Sequence, residues 1–141
     1  MASLQNREND ESQKSKEIVR AYFEALRTAD AHLADLLAED VSWRVPAGSD
    51  YAGTHEGKAA VLSFLGGGVG YYAEDKPMVV EIQSMIAEGP KVACEFTLEA
   101  TTASGEQYKN FYHFAFEIED GQIRRVREYL DTHYAHKAFH G

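Results

Sequence analysis

The sequence predicts an α+β domain in which helices come first and an antiparallel sheet follows. Three observations carry this expectation. Ile18, Tyr22 and Leu26, widened by Val19 and Phe23, recur at helical spacing near the N-terminus. From Met78 onward, apolar runs of strand length are separated by Gly, Pro, Ser and Asp turns. Within them, Asn110 to Ile118 alternates as N-x-Y-x-F-x-F-x-I, the period-two mark of a strand with one buried face.

Taken in order, residues 1–14 are polar and poor in hydrophobes, which predicts a frayed lead-in to one domain over 15–132. The helical stripe places a first helix from Lys16 to Arg27. Asp30 then caps a short second helix, Ala31 to Leu37, with Leu33, Leu36 and Leu37 facing in. Val41 to Val45 reads as a short strand, halted by Pro46 and the turn-rich Ala47-Gly48-Ser49-Asp50. A third helix opens at Gly57, carries Val61, Leu62, Phe64 and Leu65, and is expected to end at the glycines 66–68. That glycine run follows no strand and matches no phosphate-binding pattern, so it reads as a flexible loop at a cavity mouth. Strands Met78–Glu88 and Lys91–Thr101 meet at a Gly89-Pro90 turn. Another strand begins near Glu106, and the last hairpin turns at Glu119-Asp120-Gly121. Residues 133–141 form a C-terminal tail.

With 141 residues the chain is large enough for one core or a lined cavity. A net charge of −9 argues against nucleic acid and anionic membranes as partners, because phosphates select basic surfaces. The segment MASLQNRENDESQKSKE has no apolar leader core, and no later run is long enough to span a bilayer. The single cysteine, Cys94, excludes an internal disulfide framework, fits a reducing cytoplasm, and reads as a small buried hydrophobe.

The chemistry centres on the last strand. If Val126 and Leu130 point inward, Glu128 does too, since side chains two apart share a face. A carboxylate among hydrocarbon must be paired, hydrogen-bonded or chemically employed, and its ionised form is disfavoured. The competing expectation is an outward Glu128 salt-bridged to Arg125 or Arg127.

Five motifs carry a family resemblance: Val41-x-Trp43-x-x-Pro46; Tyr51-x-Gly53 with Gly57; Asn110-x-Tyr112-x-Phe114-x-Phe116; Asp120-Gly121-x-Ile123; and Glu128-Tyr129-Leu130-Asp131-Thr132. On these the chain resembles the SnoaL-like, ketosteroid-isomerase-related branch of the NTF2-like superfamily, from residue 16 to 132. The resemblance implies a strongly curved, antiparallel or mixed sheet wrapped by helices into a cone around an apolar pocket, in a homodimer packed through the outer sheet face. It implies a hydrophobic small-molecule substrate or ligand, with no metal and no organic cofactor. Glu128 falls where related enzymes carry an acid/base or water-activating carboxylate. Tyr22 matches the helix-one tyrosine that donates to the oxyanion in ketosteroid isomerase, against core packing as the plainer reading. The isomerase's base would fall near Pro46, where Val45 stands. Its second oxyanion acid would fall at His113 or Phe114.

Glu95 and Thr97 fall where limonene-epoxide-hydrolase-like members carry an arginine and an aspartate, so that triad is broken here. A Glu95/Glu128 pair facing one cavity would instead suit proton shuttling. Asn110 and Tyr112 are expected on the Glu128 side to polarise a carbonyl. Trp43, Thr97, Phe114 and Val126 are expected to complete the substrate wall, with core packing the alternative for Trp43. His113 should face away, and His55 lies in a loop with an unsupported lid role. His133, His136 and His140 share one face if the tail is helical, without an acidic partner set by spacing. The favoured function is a small-molecule acid/base enzyme: an isomerase, aldol-type cyclase or dehydratase acting on a carbonyl compound. A non-catalytic ligand-binding or dimeric association domain is the alternative, and a rewired epoxide hydrolase the least favoured.

Overall fold

The computed structural model describes residues 3–141. Helix α1 (Leu4–Thr28) leads into a 3-10 helix (Ala31–Leu36) and strands β1 (Leu37–Val45) and β2 (Gly53–Glu56). Helix α2 (Lys58–Val69) precedes β3 (Val79–Glu88), β4 (Lys91–Thr101), β5 (Gln107–Glu119) and β6 (Gln122–Leu130), and helix α3 (Thr132–His140) closes the chain. The strands form one six-stranded sheet in the order β2-β1-β6-β5-β4-β3. All neighbours are antiparallel except β1 and β6. This is the α+β arrangement of a curved, unclosed sheet with helices over its inner face.

Helix α1 starts where the Ser3 side chain accepts from the Asn6 N–H at 3.2 Å, and it ends on Ala29 in the left-handed region. The polar segment read as frayed is therefore helical from Leu4, while Met1 and Ala2 lie outside the described residues. Serine spacing explains the difference. Ser12 Oγ accepts from the Gly89 N–H at 2.9 Å and Ser15 Oγ donates to the Gly89 carbonyl at 2.8 Å, tying the helix to the β3–β4 turn. Val19, Tyr22 and Phe23 on the same helix are buried against the sheet.

The β5–β6 hairpin turns on Asp120 (φ 53°) and Gly121 (φ 76°), the left-handed pair of a two-residue turn. Strand β5 alternates as its sequence requires, burying Tyr108, Asn110, Tyr112, Phe114 and Phe116. In β6 the register slips by one residue opposite the Glu117–Ile118 step, where Arg124 is extra. That bulge lets Ile123 and Val126, an odd number apart, both point inward, and it sets Glu128 on the same inner side.

Three boundaries differ from the sequence reading. The residues around Leu33 form a 3-10 turn and β1 begins at Leu37. Helix α2 runs through glycines 66–68 instead of stopping before them. The tail is helix α3, N-capped by the Asp131 side chain accepting from the Tyr134 N–H at 3.0 Å. Strand β2, which carries His55, was not anticipated. Cys94 is fully buried, and burial pushes its thiol up to about 11, which fits an inert core residue.

Candidate active site

The inner face of the sheet, α1, α2, α3 and the loop between β1 and β2 enclose a mainly apolar, aromatic-rich cavity of about 170 Å³. Four strands and helices converge on Glu128. Glu128 comes in from β6, Trp43 from β1, Tyr22 from α1, and Tyr112 and Phe114 from β5. Trp43 Nε1 donates to Glu128 Oε1 at 2.8 Å, although 85 residues separate them. The parallel pairing of β1 with β6, which sets Trp43 opposite Val126, makes that contact possible.

Burial among these rings raises the Glu128 carboxyl to about 7, and the Trp43 hydrogen bond opposes part of that rise. The outward alternative fails on geometry. Arg125 and Arg127 instead reach Glu117, at 3.6 and 2.7 Å. Tyr22 is almost fully buried, and its phenol is pushed far up by burial and then by the charge of Glu128. Its ring centroid lies 5.8 Å from that of Trp43.

The remaining sequence candidates divide. Trp43, Tyr112 and Phe114 line the cavity with Glu128. Asn110 is buried beside it but fully engaged: its Nδ2 donates to Tyr108 Oη at 2.8 Å and to the Asp131 carbonyl at 3.0 Å, and its Oδ1 accepts from the Phe111 N–H. Tyr108 and Tyr112 hydroxyls then meet at 2.6 Å. Val126 is a core residue between Trp43 and Phe116, not a wall.

Glu95 is exposed and Thr97, though buried, shares its outward side of β4. The paired-carboxylate expectation and the Thr97 wall therefore both fail, because odd positions of β4 turn away from the even positions Phe96 and Leu98 that line the cavity. His113, across from Glu95 and Tyr129, is likewise exposed on the outer face. His55 stacks on Phe64 with centroids 4.7 Å apart, and its Nε2 lies 2.8 Å from the Tyr51 carbonyl.

Sequence reasoning missed the mouth. Tyr71 and Tyr72 after α2, and Ala135, His136, Phe139 and His140 of α3, border the cavity with Asp50. Tyr71 donates to Asp50 and His140 Nε2 contacts the same carboxylate oxygen, which holds the Asp50 carboxyl below its ordinary value. The Ala135, Ala138 and Phe139 spacing in the tail was the available signal of an amphipathic helix.

This fold and cavity are those of a SnoaL-like protein. The SnoaL-like domain model matches residues 19–126, more than half of the chain, and the chain belongs to that family. An NTF2-like protein of unknown function from Burkholderia pseudomallei K96243 superposes with a TM-score of 0.82 at 22% identity, covering 91% of this chain and 98% of that one. TerC co-crystallised with polyporic acid gives 0.80 at 22% identity, covering 91% and 99%. A candidate SnoaL-like polyketide cyclase from Jannaschia sp. CCS1 gives 0.76 at 16% identity, covering 91% and 92%. At these identities the structures speak to fold alone. No curated protein sequence matches the chain. Among the described residues, no helix is long and apolar enough to cross a membrane.

Proposed function

We propose that the protein is a small-molecule acid/base enzyme that moves a proton next to a carbonyl group, in an isomerisation, aldol-type cyclisation or dehydration. The observation that carries this reading is Glu128, an acid inside an aromatic cavity whose carboxyl is raised to about 7. At that value both protonation states are populated at working pH, as a group that takes and returns a proton requires. TerC, a relative in fold, was co-crystallised with the organic acid polyporic acid, which supports a small organic ligand here.

In this reading the Glu128 carboxylate accepts the proton α to the carbonyl, and charge moves onto the carbonyl oxygen. Two phenols that line the same cavity, Tyr22 and Tyr112, are the donors this reading assigns to that oxygen. Tyr112 is held at the cavity wall by a short polar chain: its hydroxyl meets that of Tyr108 at 2.6 Å, and Asn110 Nδ2 donates to Tyr108 at 2.8 Å. Asn110 is then a positioning residue. Returning the proton from Glu128 to another carbon completes an isomerisation, and returning it to a leaving hydroxyl completes a dehydration. Trp43 steers the carboxylate through its indole N–H.

The finer features of the family resemblance enter as part of the same reading. The exposed apolar residues Val79, Ile86, Phe111 and Tyr129 on the outer sheet face support a homodimer through that face. The buried lone thiol of Cys94 is compatible with a cytoplasmic setting.

The test is α-proton exchange in deuterated water. Enolisable ketones that bind the cavity are followed by proton NMR with the native chain and with Glu128→Gln. The reading expects exchange by the native chain and a loss of about 10²- to 10⁴-fold in the variant with binding retained. Equal exchange rates in the two proteins would remove Glu128 from the chemistry and leave a binding domain.

A further inference from the structure

Three side chains at the cavity mouth have no task in the proton chemistry above. Asp50 lies in the loop between β1 and β2, and His136 and His140 are one turn apart on α3. One carboxylate oxygen of Asp50 and one ring nitrogen from each histidine all lie within 4.8 Å of one another. His140 Nε2 already contacts Asp50 Oδ2, and the two imidazole centroids are 4.9 Å apart.

We propose that these three residues form a binding site for a divalent transition cation of the Zn²⁺ class. Imidazole nitrogen with one carboxylate oxygen is the donor set that Zn²⁺ accepts, and histidines four apart on a helix face one point. Bonds of 2.0 to 2.2 Å at tetrahedral angles place donor atoms about 3.3 Å apart. The trio therefore has to close by about 1.5 Å at its widest. That movement lies within side-chain rotation, because His140 and Asp50 are 39% and 36% exposed.

The surroundings fit a metal better than a bare ion pair. Tyr71 donates to the Asp50 oxygen, the kind of outer partner that orients a ligating carboxylate. The stacked ring of Phe139 fixes Tyr71, with centroids 4.8 Å apart. An exposed Asp–His contact alone is worth little, whereas three ligands on two separate elements clamp α3 to the β1–β2 loop. Three protein ligands also leave a fourth position open for water or an oxygen of a cavity ligand, since all three residues border the cavity. The third histidine of the tail, His133, stands outside the trio and is not part of the site.

The experiment is calorimetric titration of ZnCl₂ into the untagged, chelator-stripped full chain, with thermal melting in parallel. The proposal expects one equivalent bound and a rise in melting temperature. His136→Ala, His140→Ala and Asp50→Asn should each weaken binding by at least about 10-fold, and Tyr71→Phe by about 10-fold or more. His133→Ala should bind as the native chain does. Co²⁺ in place of Zn²⁺ should give the strong visible absorption of a four-coordinate ion, lost in His140→Ala. Circular dichroism of each variant confirms that the fold is kept. Absence of a one-equivalent event, or binding that follows His133 instead of the trio, would overturn the proposal.

Discussion

At the scale of single residues, the site rests on an acid whose protonation is coupled to folding. The Glu128 carboxyl is raised from 4.5 to about 7 in the folded chain, so the native state holds this proton more tightly than the unfolded state does. The stabilising contribution of the protonated form is complete below about 4.5 and is lost as pH rises through about 7. Glu128→Gln keeps an oxygen for the Trp43 donor and removes the titration. It should match the native chain in stability near pH 4 and exceed it by about 3 kcal/mol at pH 8, as read by denaturant melts. A native-minus-variant difference that does not change between those pH values would contradict the burial of this acid.

Glu128 was legible in the sequence because strand periodicity ties it to Val126 and Leu130. Its partner Trp43 was not. A contact spanning 85 residues depends on parallel pairing between the first and last strands of the domain, which no local pattern encodes. Glu95 and Thr97 misled for a different reason. Their place was inferred from correspondence with relatives, while alternation along β4 alone, with Phe96 and Leu98 apolar, turned them outward.

At the scale of elements, the glycine run shows how packing overrides propensity. Three consecutive glycines disfavour a helix by about 1 kcal/mol each relative to alanine, yet α2 continues through Gly66, Gly67 and Gly68. A Cβ on Gly67 would stand 2.4 Å from the Tyr51 hydroxyl and 2.9 Å from its Cζ, so the helix must be bare there for Tyr51 to cross it. Added carbons at Gly66 and Gly68 meet nothing within 4 Å. Gly66→Ala and Gly68→Ala should therefore each stabilise the chain by about 0.5 to 1 kcal/mol in thermal or urea melts. Gly67→Ala should forfeit that gain and displace Tyr51, changing ligand affinity at the mouth. Equal stabilisation at all three positions would show that Tyr51 does not depend on Gly67.

Helix α3 is the other element whose role was hidden. Neither its capping by Asp131 nor the covering of the cavity by its Ala135 and Phe139 face was read from the sequence. Asp131→Ala should cost about 1 kcal/mol and weaken ligand binding, because a frayed α3 opens the mouth. Stability loss without any change in ligand affinity would show that α3 does not help enclose the ligand.

At the scale of the whole molecule, the leading helix, the run of strands from β3 to β6 and the final hairpin were readable from periodicity and turn residues. The sheet order β2-β1-β6-β5-β4-β3 was not, because it requires β1 to return beside β6 and a bulge at Arg124 to reset the inner face. The outer face of this sheet leaves Phe111 67% exposed, flanked by Glu95 and His113 on the same side. If two copies associate there, Phe111→Glu should convert a dimer to a monomer in size-exclusion chromatography with light scattering, without altering the circular dichroism. A monomeric native chain would contradict that association.

One measurement bears most directly on the claim that a proton carrier sits in the cavity. The ¹³C chemical shift of the Glu128 side-chain carboxyl, assigned by its loss in Glu128→Gln, is followed as a function of pH. The account predicts a midpoint near 7. A midpoint in the ordinary carboxylate range, about 4 to 4.5, would mean that water reaches the acid freely and that the proposed chemistry has no proton carrier.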